Sequence, residues 1–215
     1  MKYVILIDGY FLEKNIQLKF KLEKTELTIY YIRNFCRFIF NHKGNDDVSK
    51  IYYYDSLPII TNELQNPINS NYNSYNEFEY KYYNFKSSLF NNIENIRDER
   101  DPEGKNNIFV VKLGYTTATN WEVKKNFLVD GHKIQASSVI PKYSQKLVDI
   151  LLSMDLILLS QTKEIEIIFI VTNDSDFYPA IEQALKLNTK VILVTFSNVN
   201  ISKKLKNIVT DILIY

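Results

Sequence analysis

Ile165-Glu166-Ile167-Ile168-Phe169-Ile170-Val171-Thr172-Asn173-Asp174-Ser175-Asp176-Phe177 decides the fold. It is an apolar strand, broken only by Glu166, that runs straight into two carboxylates one residue apart. A run this apolar belongs in a strand buried on both faces, as in a parallel sheet. Open α/β sheets place their ligands at the carboxyl ends of such strands. Two acids there are awkward for stability and natural for a divalent cation. Residues 3–7, Tyr-Val-Ile-Leu-Ile, form a second strand of the same kind, and it also ends in an acid, Asp8.

The surrounding pattern alternates strands with helices. Strands are expected over 2–8, 50–55, 108–113, 165–171, 190–195 and 211–214. Helices are expected over 27–40, 76–96, 142–160, 177–187 and 201–208, with a short helix or loop over 11–20. Residues 44–47, 61–76 and 98–107 read as breaks or loops, and 116–120 as polar and exposed. Asp130-Gly131 suits a type I′ turn, so 127–134 reads as a small β-hairpin arm beside the main sheet. Such alternation predicts an α/β fold, with a parallel sheet of five to six strands sandwiched between helices and joined by right-handed crossovers. No internal repeat or domain boundary is visible, so residues 1–215 read as one domain.

Composition narrows the function classes. The chain has 215 residues, 46% of them hydrophobic, enough for one sizeable core. A net charge of +1 means that any polyanion must be met by a local patch. The single cysteine, Cys36, excludes an internal disulfide and a multi-cysteine zinc site, and its apolar helical setting reads as a buried structural thiol. His42 and His132 are flanked by turn-like residues and lack an obvious partner network. No apolar run reaches the roughly 18 residues of a spanning helix, and no signal peptide is visible, so a cytoplasmic protein is expected.

Four carboxylates stand out. Asp8 ends the first strand, and Asp174 and Asp176 end the strand 165–171. Asp149 sits in an otherwise apolar helical stretch, Lys146-Leu147-Val148-Asp149-Ile150-Leu151-Leu152. If the two strands are neighbours, Asp8 and Asp174 share a rim, and an antiparallel helix delivers Asp149 to it. Clustered carboxylates repel unless a cation neutralises them. Hard oxygen ligands suit Mg²⁺ or Mn²⁺, and the matching chemistry is phosphodiester hydrolysis. Singly, each acid has a plainer reading: Asp8 as a turn or cap, Asp174 and Asp176 as a cap, with Asp176 capping the next helix. Asp155 is expected to face solvent or a salt bridge, and Asp55, at the end of the second strand, could approach the rim.

At these residues the chain resembles the NYN domain family, a branch of the PIN-like nucleases, and within it the bacterial LabA-like or DUF88 group. The stretches concerned are 4–12 (Val-Ile-Leu-Ile-Asp-Gly-Tyr-Phe-Leu), 145–156 around Asp149 and 170–179 around Asp174 and Asp176, with Ser202-Lys203-Lys204-Leu205 and Asp211 closing the pattern. Residues 55–140 are not diagnostic and read as an insertion. The resemblance implies a PIN-like fold and metal-dependent endonuclease action on RNA. It implies Asp8, Asp149 and Asp174 as metal and catalytic residues, with Asp176 as the fourth acid. Three positions depart from the family pattern: Phe11 stands where many members have Asn, and Leu147 and Asn173 stand where Gly is common.

RNA is therefore the expected partner, with a homodimer left open. Lys146, Asn173, Ser175 and Tyr10 are the expected substrate contacts. Lysines 186, 190, 203, 204 and 206, and lysines 124, 125, 133, 142 and 146, offer phosphate contacts or simply a solvated face. A non-catalytic module that binds RNA or a protein is the rival reading. A haloacid-dehalogenase-type phosphatase would need a second Asp two residues after Asp8, where Tyr10 stands.

Overall fold

A computed structural model describes residues 2–43, 48–60, 65–70, 77–96, 107–127 and 133–215. The elements in chain order are β1 (Lys2–Asp8), α1 (Gly9–Phe20), α2 (Ile29–Lys43), β2 (Val48–Ser56), α3 (Glu77–Glu94), β3 (Phe109–Val123), β4 (Val139–Lys146), α4 (Val148–Gln161), β5 (Ile165–Val171), α5 (Tyr178–Lys186), β6 (Lys190–Thr195), α6 (Lys203–Ile208) and β7 (Asp211–Ile214). The strands form one seven-stranded sheet in the order β4-β3-β2-β1-β5-β6-β7. All neighbours are parallel except β3 and β4.

Alternation along the strands builds two cores. Tyr3, Ile5 and Ile7 of β1 face α1, α2 and α3 and pack with Leu12, Ile16, Phe35 and Ile93. Val4 and Leu6 point the other way, against Val148, Leu152 and Leu156 of α4 and Ile181 of α5. The central strands are buried on both faces, which is why they read as continuous apolar runs.

From β1 the chain builds outward through β2 and β3 on one side, and from β5 through β6 and β7 on the other. The topological switch point therefore lies between β1 and β5, where Ile7 pairs with Val171. At that crevice, beyond the carboxyl ends of the strands, α/β sheets bind ligands.

One expected element is overturned. Residues 142–146 belong not to a helix but to the edge strand β4, whose Lys146 pairs with Tyr115 and whose Val139 pairs with Val123. Pro141 and the lysines that follow it, Lys142 and Lys146, suit an edge strand, which does not need every N–H. Correspondingly, β3 does not stop near residue 113. Gly114 pairs with Ser56 at the end of β2, and β3 runs on as a ribbon with β4 beyond the carboxyl edge of the sheet. Residues 116–120, expected as exposed, lie in this ribbon. That ribbon is a different pair of strands from the hairpin expected over 127–134, most of which, with its Asp130-Gly131 turn, lies outside the described residues, as do His132 and the 44–47 break.

Candidate active site

Asp8 is the last residue of β1 and the N-cap of α1. Its Oδ1 accepts the Phe11 N–H at 3.0 Å, and its Oδ2 accepts the Thr172 hydroxyl at 3.3 Å. Both the strand-end and the cap readings of this residue hold at once. Burial, with added repulsion from Asp55 and Asp149, outweighs these bonds and pushes the Asp8 carboxyl up to about 6. No lysine or arginine among the described residues offsets that cost by bonding to Asp8.

Asp149 lies in the first turn of α4, where acids favour the helix dipole. Since α4 leads into β5, its N-terminus stands at the carboxyl edge of the sheet. Burial and then the charges of Asp174 and Asp176 raise the Asp149 carboxyl. The turn that places it is strained: Leu147 is left-handed, at φ 68°, ψ −15°. A side chain is disfavoured in that region. Gly114 permits the turn, because a Cβ on it would meet the Lys146 carbonyl oxygen at 2.2 Å and Val148 Cγ2 at 2.8 Å.

Asp174 caps the short turn 175–177, its Oδ1 accepting the Asp176 N–H at 2.9 Å. The capping acid is therefore Asp174; α5 is opened by Phe177 and Pro179 without a side-chain cap, and Asp176 is exposed. Asn173 donates from Nδ2 to the Asn200 carbonyl at 3.2 Å, while its buried Oδ1 lacks a hydrogen-bond partner. Ser175 is half-buried in the same turn.

Asp55, Asp8, Asp149 and the pair Asp174 and Asp176 are thus linked in an electrostatic series along one rim. Among the described residues, no three His, Cys, Asp or Glu side chains form a ready-made group for a metal ion. The donors themselves fit a hard divalent cation: carboxylate oxygens, one of them desolvated and bonded to no basic side chain, and an orphaned amide oxygen beside Asp174.

The part most hidden in the sequence lies beside Asp8. Asp55 is 1% exposed and Lys86 2%, and the Lys86 ammonium bridges Asp55 at 2.6 Å and Glu13. Burial would lower the Lys86 ammonium, but Asp55, Tyr53 and Glu13 around it raise it well above its ordinary value. Tyr82 donates its hydroxyl to Glu13 at 3.0 Å, and Gln145 Nε2 donates to Asp55 at 3.3 Å. Asp55 touches the start of α1, since a Cβ on Gly9 would lie 2.6 Å from its Oδ2 and 2.5 Å from the Tyr53 ring. Only the strand-end rule pointed to Asp55; neither Glu13 nor Lys86 announced itself, because their pairing spans 73 residues. Asp155 forms its expected salt bridge, with Lys112 at 2.6 Å, and accepts the Tyr54 hydroxyl at 2.6 Å.

The expected substrate contacts divide. Tyr10 is 56% exposed and lines a cleft of about 780 Å³ next to the rim. Phe11 instead packs toward the core against Phe196, with ring centroids 5.8 Å apart. Lys146 is exposed, but it ends β4 rather than sitting one helical step from Asp149. Of the C-terminal lysines, Lys203 and Lys204 open α6, and Lys204 lies 4.7 Å over the Tyr178 ring near the paired acids. Lys186 and Lys190 flank the connection from α5 to β6, at the opposite end of the sheet. Cys36 is buried, and burial pushes its thiol up to about 12. Among the described residues, no helix is long and apolar enough to cross a membrane.

The family model described as NYN domain matches residues 3–214. Among curated proteins, none matches the chain. Among solved structures, it is similar to a protein of unknown function from Vibrio parahaemolyticus RIMD 2210633. That likeness covers 99% of this chain and 91% of the other, at 10% identity and a TM-score of 0.46.

Proposed function

Because the chain belongs to the NYN domain family, a group of PIN-like nucleases, we propose that it is a metal-dependent endoribonuclease acting at the acidic rim. The observation that supports this most is Asp8, a half-buried carboxylate at the topological switch point, raised to about 6 by its desolvation and facing further acids. Proteins rarely keep such a group unless it has work to do.

In this reading Asp8, Asp149 and Asp174 hold Mg²⁺ or Mn²⁺, and Asp176 orients the attacking water. A bound ion of this kind lowers the pKa of its water and neutralises charge on the phosphoryl oxygens. Thr172 and the Phe11 N–H fix the Asp8 carboxylate, and Asp176 N–H fixes that of Asp174, so both oxygens are oriented before substrate arrives. Lys203, Lys204 and Lys146 take backbone phosphates, and Asn173, Ser175 and Tyr10 contact the substrate near the reacting bond.

A second reading is a module that binds RNA without cleaving it. It is favoured by the lack of a ready-made three-ligand group among the described residues and by Phe11, whose ring lies against the core. Incubating end-labelled RNA with Mn²⁺ and wild-type, Asp8→Asn or Asp174→Asn protein separates the two. Cleavage by wild type alone is expected. Equal cleavage by all three overturns the site, and binding without cleavage by any of them selects the second reading.

A further inference from the structure

Helix α4 is apolar on two opposite faces. Val148, Leu152 and Leu156 are buried against the sheet. Ile150, Met154 and Leu158, spaced four residues apart and so in one row on the other side, are 55%, 53% and 52% exposed. Leu151 and Ile157, both half-buried, flank that row. The outward face of a surface helix ordinarily carries charged and polar side chains, and a helix that is apolar all round is ordinarily buried. Both carboxylates of α4 are engaged elsewhere: Asp155 bonds to Lys112 and Tyr54, and Asp149 stands at the rim. Among the described residues, no element covers the row.

The pattern of the row fits a second copy of the same helix. It is symmetric about Met154: Ile150 and Leu158 stand four residues to either side, and Leu151 and Ile157 three. A two-fold axis through Met154, perpendicular to the helix, therefore lays each of these side chains on an apolar one. Ile150 of each copy meets Leu158 of the other, Leu151 meets Ile157, and Met154 meets its own counterpart. A closed two-fold dimer requires this kind of self-complementary surface, and rows of period four on both helices interdigitate in the commonest packing class.

Charge points the same way. A row without lysine or arginine gives a polyanion nothing to bind. Antiparallel pairing sets the helix dipoles head to tail. It also separates the two acidic rims: Asp149 lies five residues from Met154, so its two copies stand roughly 15 Å apart along the helices. A parallel pair would set the rims side by side. An exposed apolar patch of this kind covers roughly 300–600 Å². Two of them face to face bury on the order of 600–1,200 Å², the low end for a specific complex, so the dimer is reversible.

We propose that this face of α4 is the interface of a two-fold dimer, in which the α4 helices of two copies pack antiparallel across Met154. The dimer goes beyond the hydrolytic reading and does not rest on it.

Sedimentation velocity of the full chain from about 1 to about 300 µM, the range expected for so small an interface, is the test. Wild type should pass from monomer to dimer within that range. Met154→Lys sets two ammonium groups against each other at the axis and should weaken the dimer at least about tenfold. Ile150→Lys and Leu158→Glu should each weaken it when made singly. Combined in one chain they should restore it, because each lysine then meets the glutamate of the other copy, whereas positions eight residues apart do not meet on one helix. All three positions are more than half exposed, so circular dichroism of the variants should match wild type. Wild type that stays monomeric throughout, single variants that dimerise as wild type does, or a double variant no better than the single ones would overturn the dimer. Monomeric wild type that sediments with vesicles of phosphatidylcholine and phosphatidylglycerol would assign the face to a membrane surface and overturn it equally.

Discussion

Asp8→Asn should make the metal-free protein more stable. The Asp8 carboxyl titrates at about 6 in the fold against an ordinary 3.8. An acid whose folded pKa is raised binds its proton more tightly in the native state than in the unfolded one. Stability is therefore undiminished below the unfolded value and falls as pH rises through the window from 3.8 to about 6. Above that window the deficit is full-sized, and a shift of this size corresponds to about 3 kcal/mol. Asparagine is nearly isosteric, ranks with aspartate as an N-cap, and keeps an oxygen for the Phe11 N–H. It also removes the repulsion from Asp55 and Asp149. Some of the gain is lost with the charge–dipole attraction at the start of α1, so about 1–3 kcal/mol is expected at pH near 7.5. Urea unfolding in EDTA at about pH 7.5 and again at about pH 4 measures this directly. The variant should be the more stable at the higher pH and equal to wild type at the lower. A destabilised variant at the higher pH, or a difference that does not change with pH, would refute the electrostatic account of Asp8.

Three further outcomes follow from the geometry. Leu147→Gly relieves the left-handed φ of 68° at a position 46% exposed, and should raise unfolding free energy by about 0.5–1 kcal/mol in a denaturant titration. Lys86→Met strands Asp55 and Glu13 as buried carboxylates and should lower stability by about 3–5 kcal/mol at neutral pH, with much of the loss recovered when both acids are also made neutral. Gly114→Ala forces a Cβ into the Lys146 carbonyl and Val148, so it should shift the turn that places Asp149; RNA cleavage should fall at least about tenfold, as positioning losses commonly do, while circular dichroism stays near that of wild type.

The strands at the centre of the sheet were legible because burial on both faces leaves an unmistakable apolar signature. The runs 2–8, 165–171 and 190–195 match β1, β5 and β6 residue for residue, and the short edge strand β7 also falls on its expected 211–214. The opposite edge, β4, was not legible, because it lacks that signature. β4 faces solvent along much of its length, so its composition reports no period, and the apolar residues of α4 beyond Leu147 drew its last residues into one apparent helix. Pro141 was the available warning. The acids of the rim could be read because each closes a strand or opens a helix within a local pattern. Glu13 and Lys86 could not, since each is an ordinary charged residue on a helix until the fold buries them together. Leu147 looked like a departure from family pattern, and only the backbone angle shows that it bears strain.

The central claim is that the rim acids hold one divalent ion. Titrating Mn²⁺ into the protein and counting bound ion by electron paramagnetic resonance tests it without reference to any substrate. Wild type should bind Mn²⁺ saturably, with affinity at least about tenfold above that of Asp8→Asn, Asp149→Asn and Asp174→Asn, as expected when a hard cation loses one carboxylate ligand. Wild type that binds no better than these three variants would contradict the account.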